Sequence, residues 1–588
     1  MVARAAELMG KAVEHRTRFA EAALVAIAER LDLRTDAVSG RTQAACGRIR
    51  PVTTDDRVPH DAPTSVWTRR RFLKAGAITA VGVAGIGAVV AGLGLESGAG
   101  PASSGSLAAP SGQVGAPNAE ASAAAAAAAA GRRRRYRSRS DLSAAPIEVL
   151  TQPSGVAPGL ILISPNNGLP PDGLLIMDDA GRPVWIHPTA PGNHAVNLAV
   201  SRIRGEPVLT WWEGTLNGGN GSGDLVAVDS AYREVLRAGA GGGHKADLHE
   251  FLITPTGTIL AFWGGSGVVA AAPGASAVPW QLWDDAIEET DIASGKVIFE
   301  WHTRDHIAID ESILPPPTTA NAAYDAVHLN SIDIDTDGHL LVSARNTSTV
   351  YKIDRSSGDI IWRLGGKKSD FTFGPGAAFS WQHDVRRQPD GTITVFDDET
   401  APAHGRAIVL AVDEASRTVA LVRAYDHPHA LIVQSQGSAR FQANGNLFVG
   451  WGSTPYLSEF SHDGTLLYDV TFPDSVQSYR SIRTAWVGRP AAPPTLVVEA
   501  ATDGSPTAYM SWNGATDVAR WELLGGDDRA SLTSIGSAER ADFETSIPVT
   551  GGGRFVLARA LDSTGRVLGS SALIPAVPTS PAPSPSAS

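Results

Sequence analysis

The sequence predicts an all-β protein in which a six-bladed β-propeller is followed by a small β-sandwich. Two kinds of hairpin-like segment alternate between residues 150 and 490, and one of them recurs six times. Gly and Pro are also abundant, with 61 and 38 residues in a chain of 588. Frequent turn residues between alternating apolar runs indicate many short strands.

The first kind of segment has an apolar strand end, a polar turn that begins with Asp in five copies, and an alternating strand. This pattern is typical of a β-hairpin. The copies recur every 50–60 residues or so, which suits a propeller blade with its loops. They occupy residues 177–185, 228–236, 290–299, 353–362, 412–421 and 460–468.

The second kind of segment carries Thr-Gly, Asp-Gly or Asn-Gly at its turn, at residues 254–260, 335–341, 388–394 and 442–448. Such turns need a residue with positive φ, which Gly supplies. Two hairpins in each period make four strands, the content of one blade. Six periods therefore predict six blades over residues 146–489. A large β-sandwich is the competing architecture, but such a regular repeat is rare in sandwiches.

The pattern changes after Pro490. Short apolar runs and Trp512 over residues 490–577 predict a β-sandwich that resembles a fibronectin type III module. Its simplest role is to pack against the propeller or cap it. Residues 578–588 are rich in Pro and Ser, which predicts a disordered tail.

The N-terminal region reads as three segments. Residues 1–67 form an extension with an amphipathic helix near residues 18–33, and whether Met1 is the true start stays open. Residues 68–99 contain Arg69-Arg70-Arg71-Phe72-Leu73-Lys74 before an apolar run, which predicts a twin-arginine export signal. Residues 100–145 are a low-complexity linker that ends in a basic run, read as a solvated tether. We therefore expect an extracellular or cell-surface protein, with cleavage or membrane anchoring left open.

Charge and cysteine content narrow the function. Residues 1–140 carry a net charge of +9 and the remainder −21. An acidic globular part argues against nucleic acid as a partner. The one cysteine, Cys46, precedes the signal, so the exported part has no cysteine to serve as a nucleophile, a disulfide or a zinc ligand. We expect neither a metal nor a cofactor.

The candidate site residues lie at strand ends in neighbouring repeats. His328, Arg345 and His383 sit there, and His249 holds a comparable place in an earlier repeat. Loops from successive blades meet at one face, so these side chains are expected to converge. Imidazoles beside a guanidinium suit transfer of an anionic group such as sulfate or phosphate.

These stretches resemble the arylsulfotransferase family, in its secreted actinobacterial and fungal branch. The resemblance covers residues 150–490 and is carried by short motifs: Asp247-x-His249-Glu250-Phe251, His328-x-Asn330-Ser331, Ser343-x-Arg345, Trp362-Arg363-Leu364-Gly365-Gly366 with Ser369-Asp370-Phe371, and Gln382-His383. It implies a six-bladed propeller. It also implies transfer of sulfate from an aryl sulfate to a phenol without PAPS, through a sulfohistidine.

By this resemblance His383 is the nucleophile, and a neutral imidazole suits that role. Arg345 would bind the sulfate oxygens, and His328 and His249 would stabilise charge or handle the phenol proton. Asn330 would add a donor and Lys367 would attract the sulfate. The natural donor and acceptor, and the oligomeric state, stay open.

Two other functions compete with this one. Residues 354–362 fit the tryptophan-docking pattern of quinoprotein dehydrogenases, but cleanly only once, and acidic ligands for a calcium ion are not evident. A non-catalytic propeller that binds wall glycans or partners is the other. A basic, His-rich pocket in place of an aromatic shelf argues against it.

Overall fold

The structure is a computed structural model that describes residues 133–166, 173–266, 280–319, 322–400, 404–472, 476–501, 505–551 and 553–576. The chain divides into two units, 1–103 and 104–588, and only the second contains described residues. The predicted extension, export signal and C-terminal tail therefore lie outside the described residues.

The described residues are almost entirely β, which confirms the predicted all-β class. Besides strands they contain a one-turn helix, α1 (Thr303–His306), and two 3-10 turns at Ile309–Glu311 and Arg529–Ser531. No helix among them is long or apolar enough to cross a membrane.

Six antiparallel sheets, named I to VI in chain order, make up the larger part of the described residues. Sheet I contains β4 (Leu160–Asn166), β5 (Gly173–Met177), β6 (Pro183–Pro188) and the late strand β29 (Gln477–Thr484). Sheet II contains β7 (His194–Ile203), β8 (Glu206–Asn217), β9 (Asn220–Val228) and β10 (Glu234–Ala238). Sheet III contains β11 (Phe251–Ile253), β12 (Thr258–Ser266), β13 (Gln281–Asp291) and β14 (Val297–His302), with β15 (Ala323–Tyr324) beside β13.

The other three sheets repeat this order. Sheet IV contains β16 (Leu329–Ile334), β17 (Leu340–Ala344), β18 (Thr349–Ile353) and β19 (Ile360–Gly365). Sheet V contains β21 (His383–Arg387), β22 (Ile393–Thr400), β23 (His404–Asp413) and β24 (Thr418–Asp426), with β20 (Thr372–Phe373) at its edge. Sheet VI contains β25 (Ser438–Phe441), β26 (Leu447–Gly450), β27 (Tyr456–Phe460) and β28 (Leu466–Thr471), with β3 (Glu148–Thr151) at its edge.

Both predicted hairpin types are present. Each of the six recurring segments joins the third and fourth strands of a sheet, and the segments of the second kind join the first and second strands. In the first kind the Asp side chain caps its own turn: Asp354 Oδ1 accepts the N–H groups of Ser356 and Ser357. In the second kind Gly takes up the left-handed backbone, with φ of 88° at Gly338 and 89° at Gly391.

The sheets form a closed series. Each sheet contacts the next, and sheet VI contacts sheet I through β25 and β29. Sheet I is built from both ends of the series, because β29 pairs antiparallel with β4 and places Ile482 opposite Leu162. This arrangement of four-stranded sheets is propeller-like.

The apolar core lies between neighbouring sheets. Separate clusters of buried side chains join I to II, II to III, III to IV, IV to V and V to VI. Trp185, Trp301 and Trp362 are at most 5% exposed, so all three pack in this core. Burial of this apolar surface stabilises the fold by about 25 cal/mol per Å².

The C-terminal part forms two facing sheets around Met510 and Trp521. One contains β30 (Thr495–Ala500), β31 (Pro506–Ser511) and β34 (Glu544–Pro548). The other contains β32 (Arg520–Gly526), β33 (Thr533–Glu539), β35 (Phe555–Leu561), β36 (Val567–Ser570) and β37 (Ile574–Pro575).

The end of the predicted linker is packed rather than solvated. Residues 133–145 include the short strands β1 (Arg134–Arg135) and β2 (Ser143–Ala144), which pair with each other. Tyr136 is buried against Phe543 at 4.4 Å, and Arg134 forms an ion pair with Asp542 at 3.3 Å. The basic run is therefore not a free tether over these residues, because Tyr136, Arg134 and Arg137 have partners in the C-terminal part.

Candidate functional site

His383 is the first residue of β21, at a point where the backbone is irregular. Trp381 and Asp384 have φ of 57° and 50°, values that residues other than Gly seldom adopt. The pairing of β21 with β22 also shifts between His383 and Arg386. Residues in such strained conformations persist only where the surrounding structure holds them. They are concentrated at functional sites. The irregular backbone turns the imidazole of His383, which is only 2% exposed, toward residues of other sheets.

Both ring nitrogens of His383 have polar neighbours. Nδ1 lies 2.5 Å from Oδ2 of Asp398, which is on the paired strand β22. Nε2 lies 3.3 Å from the backbone nitrogen of Gln436, in the loop before β25. Gln436 has φ of 71°, so another irregular residue directs this N–H at the ring.

His249 and His328 form a contacting pair. Their rings meet edge to face, with centroids 4.7 Å apart, and both side chains are buried. Nδ1 of His328 lies 2.6 Å from Oδ2 of Asp325, and Nδ1 of His249 is hydrogen-bonded to Oδ1 of Asp247. His328 itself has φ of 58°. Each of the three histidines thus has a carboxylate at Nδ1.

Tyr479, on the closing strand β29, connects this pair to His383. Its ring centroid lies 5.4 Å from that of His249 and 6.2 Å from that of His383, edge to face in both cases. Its hydroxyl donates to the backbone oxygen of Asn330 at 3.0 Å. We call His249, His328 and His383 the histidine cluster, and Tyr479 is the aromatic side chain between its two parts.

Arg345 is held beside the cluster by three contacts. Its guanidinium lies over the Trp381 ring at 4.6 Å and donates to Asn346 Oδ1 at 3.1 Å and to the Gln434 oxygen at 2.9 Å. Burial lowers the pKa of His383 well below its ordinary value, and the positive charge of Arg345 lowers it further. His383 is therefore neutral near pH 7.

The other two predicted residues are placed differently. Asn330 is fully buried, and its Nδ2 donates to the Gln382 oxygen at 2.7 Å, next to His383. Its amide therefore supports the backbone before the nucleophile candidate. Lys367 is exposed and donates to the backbone oxygens of Asp310 and Ser312. The structure brings Asn330 to the cluster but binds the Lys367 ammonium to a turn.

A third carboxylate lies on the His328 side. Asp285, on β13, accepts the Leu329 N–H at 3.2 Å and the Trp283 Nε1–H at 2.9 Å. Burial raises the pKa of Asp285 well above its ordinary value, and the nearby Asp325 and Asp247 raise it further. The site therefore has three carboxylates close together near His249 and His328, whereas His383 lies between one carboxylate, Asp398, and the guanidinium of Arg345.

A second group of buried charges follows the same inner strands. Glu250 pairs with Arg386 at 2.7 Å and with Arg480 at 3.1 Å. Asp384 pairs with Arg386 at 3.0 Å, with Arg440 at 2.6 Å and with Arg480 at 3.1 Å. We call these five residues the arginine–carboxylate network. Burial opposes ionisation of Glu250 and Asp384, but the arginines outweigh it and hold the pKa of both carboxylates below its ordinary value.

Five residues at or near the site were not predicted from the sequence: Asp398, Asp325, Asp285, Tyr479 and Arg480. Asp325 stands three residues before His328, and this spacing is a local signal. Asp398 is visible only through the hairpin around Asp390 and Gly391, which brings the strand after the turn back alongside His383. Tyr479 and Arg480 have no local signal, because they arrive on the closing strand.

Within the described residues, no group of three or more His, Cys, Asp or Glu side chains is arranged to hold a metal ion. The histidines of the cluster have Asp partners at Nδ1. This arrangement is typical of imidazoles that transfer protons or react with electrophiles.

Residues 199–473 match the family model described as arylsulfotransferase (ASST). This match supports the prediction that the chain is related to the arylsulfotransferase family. It spans sheets II to V and most of sheet VI, and therefore includes His249, His328, Arg345 and His383. No curated protein matches the chain.

The solved structures that match the chain are distant from it. A protein of unknown function from Bacteroides caccae is 16% identical, with 56% of this chain and 100% of that chain covered and a TM-score of 0.35. An inactive H270A variant of virginiamycin B lyase from Staphylococcus aureus is 10% identical, with 63% and 93% covered and a TM-score of 0.27. A regucalcin from Agrobacterium tumefaciens is 12% identical, with 52% and 82% covered and a TM-score of 0.28. We draw no conclusion from similarity at this level.

Proposed function

We propose that the chain is a PAPS-independent arylsulfotransferase that passes sulfate from an aryl sulfate to a phenol through a sulfated His383. One observation carries the proposal: a buried, neutral imidazole lies beside a fixed guanidinium and a contacting histidine pair. A neutral imidazole is a nucleophile, and a guanidinium binds the oxygens of a sulfuryl group. The family match supports the sulfotransferase class.

In the first half-reaction an imidazole nitrogen of His383 attacks the sulfur of the donor. An N–S bond forms, the S–O bond to the aryl group breaks, and the aryl oxygen leaves with the electron pair. Arg345 is placed to bind the sulfuryl oxygens, where charge develops in the transition state. Trp381 and Asn346 hold the guanidinium in position.

In the second half-reaction a phenol attacks the same sulfur and the electron pair of the N–S bond returns to His383. The phenol must lose its proton as it attacks. His249 and His328 are the bases closest to this step, with Asp247 and Asp325 on their Nδ1 atoms. Asn330 supports the backbone before His383, and Lys367 contributes only long-range positive charge.

To test the proposal, the full chain is incubated with 4-nitrophenyl sulfate and phenol. We expect nitrophenol release, phenyl sulfate formation and an acid-labile sulfated peptide that contains His383. His383→Ala should lower the rate by at least about 10⁴-fold, as for loss of other nucleophiles.

His404→Ala is the matched control. His404 belongs to the same sheet as His383. It pairs with the exposed Asp426 at 3.0 Å and is not a member of the histidine cluster. It should leave the rate unchanged. Full activity in the His383→Ala variant would falsify the nucleophile assignment.

The architecture and the location of the protein belong to the same proposal. The closed series of six sheets supports a six-bladed propeller, and the two C-terminal sheets support a sandwich of the fibronectin type III kind. We further propose export by the twin-arginine route. Replacing Arg69 and Arg70 with Lys should retain the chain in the cytoplasm, which fractionation of cells would measure.

A further inference from the structure

The environment of His383 specifies which of its nitrogens carries the proton. A backbone N–H can only donate, so Nε2, which faces the N–H of Gln436 at 3.3 Å, must present a lone pair. In a neutral imidazole the other nitrogen then carries hydrogen. That nitrogen, Nδ1, lies 2.5 Å from Asp398 Oδ2, and an ionised carboxylate only accepts. Two independent contacts therefore require the same tautomer.

We propose that Asp398 is a positioning residue that holds His383 with its proton on Nδ1, so that Nε2 is the atom that becomes sulfated. This inference rests on the proposed function. Asp398 is 1% exposed and lies on β22, the strand hydrogen-bonded to β21. A carboxylate fixed on the neighbouring strand restricts rotation of the ring as well as the site of its proton.

The geometry excludes Nδ1 as the reacting atom. With a carboxylate oxygen 2.5 Å away, no space remains at Nδ1 for a sulfuryl group with three oxygens. The negative charge of Asp398 would also repel an anionic donor there. Nε2 has a longer contact, to the N–H of Gln436. This N–H can turn from the lone pair toward a sulfuryl oxygen once the N–S bond has formed.

The tautomer has a consequence for the intermediate. When Nε2 attacks sulfur and Nδ1 keeps its proton, the ring becomes an N-sulfonated imidazolium and the aryl oxygen takes the electron pair of the broken S–O bond. The positive charge on the ring lies against the Asp398 carboxylate, which compensates it. When the phenol attacks, the electron pair of the N–S bond returns to Nε2 and the original tautomer is restored.

The same orientation is present in the other two members of the histidine cluster. His249 and His328 also present Nδ1 to a carboxylate, from Asp247 and Asp325. All three rings are therefore held through the same nitrogen. His383 differs because an N–H faces its Nε2 in the resting state.

The first measurement is made on the resting protein and needs no turnover. In the full chain labelled with ¹⁵N-histidine, two-bond ¹H–¹⁵N correlations report which ring nitrogen of His383 is protonated, and His383→Gln identifies the signal by its loss. We expect the proton on Nδ1. A resting enzyme with the proton on Nε2 would overturn the proposal.

The second measurement identifies the isomer of sulfohistidine formed from 4-nitrophenyl sulfate. Synthetic standards sulfated at Nε2 and at Nδ1 are the reference for a digested, base-stable peptide. Sulfation at Nε2 supports the inference, and sulfation at Nδ1 refutes it. If the wild type forms no sulfated enzyme, the proposed function fails, and the NMR measurement alone decides whether Asp398 sets the tautomer.

The third measurement uses Asp398→Asn, which has nearly the same shape but presents an amide to Nδ1. The wrong tautomer should lower kcat/KM for the donor on the order of 10²–10⁴-fold, as in hydrolases whose histidine loses its carboxylate. Asp398→Glu should recover part of this loss, and in Asp398→Asn only, the NMR signal should show a smaller fraction of rings with the proton on Nδ1.

Asp426→Asn is the matched control, since Asp426 is exposed and pairs with the half-buried His404 on the same sheet. It should change the rate by less than about twofold, as expected for an exposed pair. An Asp398→Asn enzyme as active as this control would overturn the proposal. If Asp398→Asn does not fold, the two wild-type measurements still decide the question.

Discussion

His249 and Glu250 are neighbours in the chain, as are His383 and Asp384, yet the two members of each pair belong to different groups of charges. His249 and His383 are in the histidine cluster, whereas Glu250 and Asp384 are in the arginine–carboxylate network. In the network each carboxylate is paired with at least two arginines. In the cluster the carboxylates fix one nitrogen of each ring and leave the other turned toward the neighbouring sheets.

The same strands therefore carry paired charges that stabilise the fold and histidines that are placed for the proposed reaction. Buried charges are costly unless they are paired, and the network pairs its charges among sheets III, V, VI and I. The cluster keeps reactive nitrogens and a fixed Arg345 for an incoming anion. Mutations in the network should therefore change stability first, and mutations in the cluster should change the reaction first.

The largest expected change in stability is the loss in Glu250→Gln. Removing this charge leaves Arg386 and Arg480 buried with less compensation, and breaking a buried pair costs about 3–5 kcal/mol. Urea denaturation followed by tryptophan fluorescence measures the free energy of unfolding. Glu234→Gln, which removes an exposed partner of Arg237, is the control and should cost under about 1 kcal/mol. Equal effects of the two variants would contradict the comparison.

Arg345→Ala tests the other group. Loss of a charge that stabilises the transition state should cost about 2–4 kcal/mol in kcat/KM for 4-nitrophenyl sulfate. The free energy of unfolding should change much less than in Glu250→Gln. Arg345→Lys should recover only part of the rate, because Lys lacks the planar set of donors. An unchanged rate in Arg345→Ala would place the anion site elsewhere.

The pH dependence sharpens the comparison further. Burial, with the charge of Arg345, holds the pKa of His383 well below 6.5, so the nucleophile stays neutral as the pH falls. An unshifted histidine would lose roughly fourfold in neutral fraction between pH 7.5 and pH 6. We expect kcat/KM for the donor to fall by less than about twofold over this range. A full fourfold fall would contradict the lowered pKa.

The same lowered pKa affects stability with a definite sign. Below about pH 6.5 the unfolded chain binds a proton that folded His383 does not, so the free energy of unfolding contributed by this group decreases as the pH falls. Glu250 and Asp384 act in a lower window, because their folded pKa values lie below those of ordinary carboxylates. Their contribution is present above about pH 4 and decreases below it. His383→Gln should remove only the first of these two phases.

The smallest expected change joins the two regions. Tyr479→Phe removes the hydrogen bond from the tyrosine hydroxyl to the Asn330 oxygen, which keeps its bond from Arg480 at 3.0 Å. A single hydrogen bond of this kind contributes about 0.5–1.5 kcal/mol. We expect a loss of that size in the free energy of unfolding and a smaller change in rate. A larger effect on rate than in Arg345→Ala would assign the hydroxyl to the reaction itself.

The repeating part of the fold could be predicted because its signals are local. The turns at Asp354 and at Asp390-Gly391 are specified by residues within the turn, through side-chain capping and positive φ. The predicted hairpins therefore lie where the sequence places them. The short motifs also led to His249, His328, Arg345 and His383, which the structure places in or beside one buried cluster.

What could not be predicted depends on contacts between distant parts of the chain. Tyr479 reaches the cluster because β29 pairs with β4, about 300 residues earlier. The packing of residues 133–145 likewise depends on Asp542 and Phe543. Lys367 was expected to attract the sulfate, and no signal in the sequence indicated that its ammonium would be bound by carbonyl oxygens of a nearby turn.

The pairing of β29 with β4 has a consequence for biosynthesis. Arg480 and Tyr479 are among the last residues of the ring to leave the ribosome, and both are needed to complete the surroundings of His249 and Asn330. A nascent chain therefore has no assembled centre until that final strand docks. If His383 reacts as proposed, any truncation before residue 484 should yield an inert product.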